Sequence, residues 1–213
     1  MLAQQRLNKL KVKLEKDNQH RSDYKMFIDD MITKGYAEVV PTRDLVRNDG
    51  KVWYIPHHGV YHPKKPNKLR VVFDCSANYR NQSLNSHLMQ GPDLTNKLVG
   101  VLCRFRQENI ALVCDIEAMY HQVKVNPEHR DMLPFLWWKN GNFKDEIVEY
   151  RMTAHLFGAT SSPSVANFAL KKAAGDYMGA SHAVKFVKNN FYVDDGLKSV
   201  ATKREACLLY TSP

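Results

Sequence analysis

Apolar side chains recur at helical spacing through residues 1–35. The first stripe is narrow and lies among lysines and arginines, so it predicts a helix with one docked face: Leu2, Leu7, Leu10 and Leu14. We interpret its charged surface as solvated, with a basic lead-in toward a partner as the alternative. A fuller stripe over residues 24–32 predicts a core helix that Ser22 caps and Gly35 ends. Residues 1–35 are therefore expected to form a helical lead-in.

Strand-like composition and turn residues predict a projecting hairpin between residues 52 and 74. Residues 52–56 have the pattern of a strand cut by a proline, residues 57–68 of a turn-rich basic loop, and residues 69–74 of a β-branched strand. Residues 51–100 hold seven lysines and arginines against two aspartates, a net +5 of the chain's formal +9. Such a concentration suits a hairpin that closes on phosphates, and a solvated lysine loop is the alternative.

A continuous apolar run at residues 110–116 predicts a central strand that is buried on both faces. Asp115 lies at the end of this run. A carboxylate in such a place is costly to bury unless it is paired or bound to a metal. The alternative is an aspartate that merely caps the element.

Further elements are predicted on either side of this strand. One helix is expected to start at Gly91-Pro92-Asp93, and residues 121–125 are expected to return as a strand. Residues 132–138 and 147–152 flank Asn140-Gly141, which is a strong hairpin signal. A later helix is expected to begin with Ser162 as its N-cap and Pro163 in its first position.

Two adjacent carboxylates, Asp194 and Asp195, stand within a second hairpin pattern. Residues 191–193 are strand-like, Asp195-Gly196 is a turn signal, and residues 197–200 return. Acids crowded in a turn repel one another, and a divalent cation relieves that repulsion. Mg²⁺ is expected, with Mn²⁺ as an alternative, because Mg²⁺ binds through one or two carboxylates together with substrate phosphates. A solvated Asp-Gly turn is the other interpretation.

Composition and charge narrow the class of protein. The chain has 213 residues, of which 44% are hydrophobic and 25% charged, so it is expected to fold around a real core. The net charge of +9 favours an acidic partner, with nucleic acid first. The four cysteines are expected to be buried free thiols in a reducing compartment. No signal peptide, transmembrane helix or membrane partner is expected, so the predicted location is cytoplasmic.

Taken in order, these features suit nucleotidyl transfer. The chain offers a basic hairpin, a strand that ends in Asp115, a Gly-x-x-x-Ser-Pro helix start at residues 158–163, and a Tyr-x-Asp-Asp hairpin. Two metal ions about 3.5–4 Å apart can clamp an in-line displacement at phosphorus. Such a pair needs carboxylates from two different strands, which Asp115 and the Asp194-Asp195 pair could supply.

The order of these motifs resembles reverse transcriptases of BEL/Pao-type LTR retrotransposons over roughly residues 20–205. The segments that carry the resemblance are YIPHHGVYHPKKPNKLRVVFDCSA (54–77), SLNSHLMQGPDLTNKLVGVLCRFRQE (83–108), DIEAMYHQV (115–123), VEYRMTAHLFGATSSPSVANFAL (148–170) and NFYVDD (190–195). The resemblance implies an α+β fragment of a right-hand polymerase, with an antiparallel palm sheet packed on helices and no thumb. Residues 36–92 and 123–159 would be fingers, and residues 93–122 and 160–206 would be palm.

The resemblance also implies roles for individual residues. Catalysis and metal binding would rest on three carboxylates and one backbone carbonyl: Asp115, Asp194, Asp195 and Ile116. Lys64, Lys65 and Arg70 would grip the nucleotide triphosphate, and Tyr120 would crowd a ribose 2′-hydroxyl and so select deoxynucleotides. Phe157 and Gly158 would pack on the incoming nucleotide, although many viral relatives have glutamine where this chain has Phe157.

The implied activity is RNA-directed DNA polymerisation by a fragment of a retrotransposon polyprotein. Its partners would be an RNA or DNA template-primer and deoxynucleoside triphosphates, inside a cytoplasmic virus-like particle. The thumb, ribonuclease H and integrase segments of such a polyprotein are not seen in this sequence. The alternative is a non-catalytic nucleic-acid-binding remnant of a degenerate retroelement. Residues 207–213 differ in character and are expected to be a truncation or adapter-derived tail.

Overall fold

Helices and short antiparallel strands build two compact units in the computed structural model. It describes residues 1–213 apart from 48, 49, 51, 178–180 and 212–213, and apart from the side chains of 65–67, 181, 210 and 211. The first unit comprises Met1–Met89 and Lys124–Thr160, and the second comprises Gln90–Val123 and Ser161–Pro213. No described helix combines the length and apolar character that a bilayer span requires.

Two helices open the first unit, α1 (Leu2–Lys16) and α2 (Asn18–Thr33). The predicted docked face of α1 is confirmed, because Leu7, Leu10 and Leu14 are buried. The predicted cap of α2 is wrong: the helix starts earlier, and the Asp17 carboxylate accepts a hydrogen bond from the backbone N–H of His20 at 2.9 Å. An aspartate in this place satisfies an N–H group that the first turn leaves without a helical partner.

The other end of α2 follows the prediction. Gly35 adopts φ +66° directly after the helix, and its N–H donates to the carbonyl of Ile32 at 3.0 Å. The apolar face of α2 is core, with Tyr24, Ile28 and Met31 buried. Glycine suits the left-handed position that ends many helices.

A three-stranded antiparallel sheet lies in the first unit in the order β1-β6-β5. Its strands are β1 (Ala37–Val39), β5 (Pro134–Trp138) and β6 (Ile147–Met152). The hairpin predicted around Asn140-Gly141 is confirmed, because β5 and β6 pair from Pro134↔Arg151 to Trp138↔Ile147. Every residue of β5 is buried, so this strand lies at the centre of the unit's core.

A separate two-stranded hairpin consists of β2 (His57–His62) and β3 (Lys65–Phe73). The sequence predicted a strand at residues 52–56 and a loop at 57–68, and both assignments are wrong. Residues 52–56 form no strand, whereas most of the predicted loop is paired, from His57↔Phe73 to His62↔Lys65. The register shifts between Tyr61 and His62, next to the turn.

The second unit contains a three-stranded sheet in the order β4-β8-β7. Its strands are β4 (Ile110–Asp115), β7 (Phe191–Tyr192) and β8 (Asp195–Val200). The prediction of a central, doubly buried β4 is wrong. Within the described residues β4 pairs only with β8, and Val113 is 67% exposed. An edge strand with one open face does not impose the burial cost that we had assigned to Asp115.

The described helices of the second unit are α3 (Leu98–Phe105), α4 (Ser162–Asp176), α5 (Ser181–Asn190) and α6 (Lys203–Thr211). α3 begins at Leu98 rather than near Gly91, because Asp93 instead accepts from the backbone N–H of Thr95 at 2.9 Å. α4 begins where predicted, but Ser161 occupies the N-cap position and makes no side-chain capping bond.

Two smaller predictions also differ from the structure. Residues 121–125 do not form a strand; Met119–Gln122 is a 3₁₀ turn instead. Among the cysteines, Cys75 is buried as predicted, whereas Cys103, Cys114 and Cys207 are exposed.

Candidate active site

Three aspartates are brought to one end of the β4-β8-β7 sheet. Asp115 is the last residue of β4 and lies directly opposite Asp195, the first residue of β8. Directly paired residues of antiparallel strands project from the same face, with Cβ atoms about 4.5–5.5 Å apart. The backbone N–H of Ile116 donates to the carbonyl of Asp194 at 3.0 Å, which ties the end of β4 to the turn beyond β7. The sequence separates these acids by about eighty residues, and the strand register unites them.

The turn that carries Asp194 lies two residues earlier than the sequence predicted. Tyr192 pairs with Asp195, so the two turn residues are Val193 and Asp194, and the predicted Asp195-Gly196 turn is instead the start of β8. Val193 adopts φ +58°. Two-residue hairpin turns require a positive φ at their first central position, and a β-branched residue is strained there. This turn therefore stores backbone strain beside the cross-strand pair Asp115–Asp195.

The three aspartates at the sheet end have no ion-pair partner within the described part of the chain. No lysine, arginine or histidine there forms an ion pair with Asp115, Asp194 or Asp195. The carboxylates influence neighbouring groups: burial, and then the charges of Asp115 and Asp195, raise the pKa of the Cys114 thiol, against a lowering hydrogen bond from Gly196. An exposed cluster of acids without a counter-charge is a site that a cation would stabilise.

The donor atoms fit a hard divalent cation, because carboxylate and carbonyl oxygens are what Mg²⁺ and Mn²⁺ bind. As the side chains stand, however, no three described His, Cys, Asp or Glu residues converge closely enough to hold a metal ion. Asp115 and Asp195 are exposed and Asp194 is half-buried, so their carboxylates have room to rotate.

Tyr120 lies near this end of the sheet. It belongs to the 3₁₀ turn Met119–Gln122, which follows Ala118 at φ +49°. Burial, and to a smaller extent the charge of Asp194, raise the pKa of the Tyr120 phenol. The phenol therefore stays protonated at neutral pH, and it lies within the electrostatic reach of Asp194.

The predicted triphosphate-binding residues lie on the β2-β3 hairpin of the first unit. Lys64 is exposed in the turn, where its backbone N–H donates to Nδ1 of His62 at 3.1 Å. Arg70 is exposed on β3 opposite Val60. Lys65 begins β3, and its side chain lies outside the described part of the chain. The hairpin thus offers at least two cations to solvent.

Phe157 and Gly158 lie in a loop of the first unit that hydrogen-bonds to the side chain of Asn85. Gly158 has φ +112°, and a Cβ at this position would lie 2.4 Å from the carbonyl oxygen of Phe73. The Asn85 amide donates to the Gly158 carbonyl at 2.9 Å and accepts from the backbone N–H of Thr160 at 2.9 Å. The Phe157 side chain remains 49% exposed.

No sequence pattern indicated a role for Asn85. A lone asparagine in a loop carries no periodicity, spacing or charge signal. Only the folded chain shows that both ends of its side-chain amide bind the loop containing Gly158.

Comparison with solved structures finds proteins that share this fold. Foamy viral protease-reverse transcriptase bound to double-stranded DNA aligns with a TM-score of 0.65 and 16% identity, over 91% of this chain and 28% of that chain. The same viral protein with an RNA/DNA hybrid aligns with a TM-score of 0.59 and 16% identity, over 86% of this chain and 20% of that chain. A further double-stranded DNA complex gives 0.63 and 17%, over 91% of this chain and 34% of that chain.

These similarities concern the fold. The chain spans between a fifth and about a third of the length of those viral chains. It matches no protein-family model and no curated protein. The chain therefore has a mixed helical and antiparallel-sheet fold like that found in retroviral reverse transcriptases.

Proposed function

We propose that this chain is the nucleotidyl-transfer part of an RNA-directed DNA polymerase. The observation that carries the proposal is the cross-strand pair Asp115–Asp195 with Asp194 in the adjoining turn, within a reverse-transcriptase-like fold. Carboxylates from two strands at one sheet end are the arrangement that two-metal phosphoryl chemistry requires.

Each residue at the sheet end then has a role. Asp115, Asp194 and Asp195 would hold two Mg²⁺ or Mn²⁺ ions, with the Ile116 carbonyl as a further oxygen donor. When bound, such ions would activate the primer 3′-hydroxyl and neutralise charge on the triphosphate. Tyr120, neutral and near Asp194, would limit the space for a ribose 2′-hydroxyl and so favour deoxynucleotides.

The residues of the first unit would serve the nucleotide. Lys64, Lys65 and Arg70 would bind the triphosphate, because charge-assisted hydrogen bonds to phosphate are strong. Phe157 would pack against the nucleotide through its exposed ring, and Gly158 would allow close backbone approach. We assign residues 36–92 and 123–159 to the fingers and residues 93–122 and 160–206 to the palm of a right-hand polymerase, with residues 1–35 as a helical lead-in.

The finer identity that we propose is a BEL/Pao-type LTR retrotransposon polyprotein. Its motif order is the support, and its location would be a cytoplasmic virus-like particle. The proposed partners are RNA or DNA template-primer and deoxynucleoside triphosphates. Structures of the similar viral protein contain double-stranded DNA or an RNA/DNA hybrid.

Primer extension tests the proposal directly. An oligo(dT) primer on a poly(rA) template with Mg²⁺ is extended by the unaltered chain, by Asp194→Asn and by Asp176→Asn. The matched control removes the same charge from the same unit at Asp176, which forms an ion pair with Lys172 at 2.8 Å. We expect Asp194→Asn to lower incorporation by at least about 100-fold, because it removes charge that holds the metal ions. Unchanged incorporation by Asp194→Asn would reject the site.

A second candidate function is nucleic-acid binding without catalysis. It is favoured by the net charge of +9 and by the absence of a converged three-residue metal group among the described side chains. If this candidate is correct, neither the unaltered chain nor either variant extends the primer. The unaltered chain, Asp194→Asn and Asp176→Asn should then all bind RNA with an affinity that falls steeply as the salt concentration rises. Extension that depends on Asp194 would exclude this candidate.

A further inference from the structure

A cavity of about 420 Å³ lies within the first unit. The chain segments that precede and follow the β2-β3 hairpin form part of its lining. Its volume falls in the range of about 300–1,000 Å³ that is usual for ligand sites. The first turn of α1 supplies one wall, and the segment before β2 supplies another. The lining of the cavity includes Leu2, Trp53, Tyr54, Tyr79, Arg80 and Gln82.

A strained turn shapes one side of this cavity. Tyr79 and Gln82 pair across it, with the Tyr79 N–H 2.8 Å from the Gln82 carbonyl and the reverse bond at 3.2 Å. The two central residues, Arg80 and Asn81, have φ +52° and +63°. Such a turn normally takes asparagine and glycine, and an arginine there is unfavourable. Strain of this kind persists where the surrounding structure fixes it, and it clusters at functional sites.

The turn holds a cation against an aromatic ring. The guanidinium carbon of Arg80 lies 5.4 Å from the centroid of the Tyr79 ring. Within the described residues, no carboxylate forms an ion pair with Arg80. The Tyr79 side chain is 43% exposed, so its ring and the guanidinium are both accessible.

The remaining cavity residues add flat aromatic surface and a polar edge. Trp53 and Tyr54 are half-buried and pack against the core of the unit. The Tyr54 hydroxyl donates to Glu149 at 2.8 Å, and burial, with this contact, raises the pKa of Tyr54 to about 12. Tyr54 is thus a fixed neutral ring. Gln82 offers an amide, which can both donate to and accept from the edge of a planar heterocycle.

We propose that this cavity takes an unpaired nucleobase of single-stranded nucleic acid. Bases stack on aromatic rings and on arginine planes, and side-chain amides bind their edges. A phosphate alone would need several cations, whereas among the described lining residues Arg80 is the one with a basic side chain, and it stands beside aromatic rings. This proposal rests on the function proposed above, because both take nucleic acid as the partner. It adds a binding site that does not include Asp115, Asp194 or Asp195.

Tryptophan fluorescence gives a local readout. The chain has three tryptophans, and Trp137 and Trp138 are only 1% and 2% exposed. A base that enters the cavity should therefore quench Trp53 alone. We expect oligo(rA) of about 12 nucleotides to quench the emission. An abasic strand with the same number of phosphates should not quench it, and Trp53→Phe should abolish the change.

Affinity measurements use variants that preserve the turn. Arg80→Gly removes the guanidinium but suits the positive φ, so the turn should remain intact. Tyr79→Ala removes the ring and should weaken oligo(rA) binding by about 5- to 150-fold, whereas Tyr79→Phe should retain it. Arg43→Ala, a change at an 85% exposed arginine of the same unit, is the charge-matched control for Arg80→Gly. Thermal unfolding confirms that each variant is folded.

The outcomes separate the two proposals. Equal binding of the abasic strand, or equal affinity of Tyr79→Ala and the unaltered chain, would overturn the nucleobase site even if primer extension succeeds. Adenosine monophosphate that binds as tightly as oligo(rA) would overturn the assignment to a strand. Conversely, base-dependent quenching that persists in Asp194→Asn would support the cavity even if no variant extends a primer.

Discussion

His57 gives the sharpest prediction about stability, because it is a buried histidine that the fold keeps neutral. Its Nε2 lies 2.9 Å from the carbonyl of Leu136, and its Nδ1 lies 2.5 Å from the hydroxyl of Tyr24. A carbonyl only accepts, so Nε2 carries the proton and Nδ1 accepts from the tyrosine. The rings of Phe135 and Trp137 enclose the imidazole, with centroids at 5.7 and 5.9 Å.

A proton on Nδ1 would place a positive charge in this apolar site. Burial lowers the pKa of His57 to about 4, partly offset by the Leu136 hydrogen bond, and the neighbouring His58 lowers it further. The pKa of His57 in the folded chain lies below the ordinary histidine value near 6.5. At a pH between these two values the unfolded chain therefore binds a proton at His57 that the folded chain does not bind. The stabilisation is therefore complete above about pH 6.5 and is lost as pH falls toward 4.

The magnitude follows from the two pKa values. Each pKa unit corresponds to about 1.4 kcal/mol, so the full loss below pH 4 is about 3 kcal/mol. Between pH 7.5 and pH 5 the expected loss from this residue is about 2 kcal/mol. This is a large share of the roughly 5–15 kcal/mol that stabilises a typical domain.

Urea unfolding at pH 7.5 and pH 5, followed by tryptophan fluorescence, measures this loss, because Trp137 stacks on Tyr24 at 5.1 Å. His57→Gln should be less stable at pH 7.5, but its further loss at pH 5 should be smaller than that of the unaltered chain by about 2 kcal/mol. The exposed His129 provides the control, and His129→Gln should keep the original pH dependence. Equal losses in His57→Gln and the unaltered chain would refute the reasoning.

Three further predictions concern the backbone. Val193→Asn should raise the melting temperature by about 2–4 °C, because asparagine tolerates the positive φ of the turn better; a lower melting temperature would contradict the strain. Gly158→Ala should lower the free energy of unfolding by about 1–3 kcal/mol in urea titrations, whereas the matched Gly175→Ala, whose Cβ would lie 3.8 Å from a lysine amine, should not. Asp17→Ala should lower the free energy of unfolding by about 1 kcal/mol, and Ser22→Ala should not change it measurably. A larger loss in Ser22→Ala than in Asp17→Ala would indicate that Ser22 caps α2, as the sequence predicted.

Local sequence patterns predicted several elements of this fold well. The apolar spacing of residues 24–32 identified the buried face of α2, and Gly35 marked its end. The Asn140-Gly141 pair identified the β5-β6 hairpin. Each of these signals is contained within a few turns of one helix or within one hairpin. Local periodicity and turn chemistry are enough in such cases.

The sequence prediction of the β2-β3 hairpin failed because the residues on its core-facing side are not consistently apolar. His57, Gly59 and Tyr61 pair with Phe73, Val71 and Leu69. A Cβ on Gly59 would lie 2.7 Å from Nε2 of His20, so a larger residue here would require neighbouring side chains to shift. Alternation of histidine, glycine and tyrosine carries no hydrophobic signal, although the positions face the core.

The candidate site divides in the same way. The sequence by itself determined which residues are candidates for the proposed chemistry: Asp115 after an apolar run, Asp194 and Asp195 in a hairpin, and the cations at residues 64–70. Only the tertiary structure decided that Asp115 opposes Asp195, that β4 is an exposed edge, and that Val193 rather than Asp195 begins the turn. Those facts depend on which distant strands pair and in what register. Pairing over such a separation is set by packing and not by neighbours in the chain.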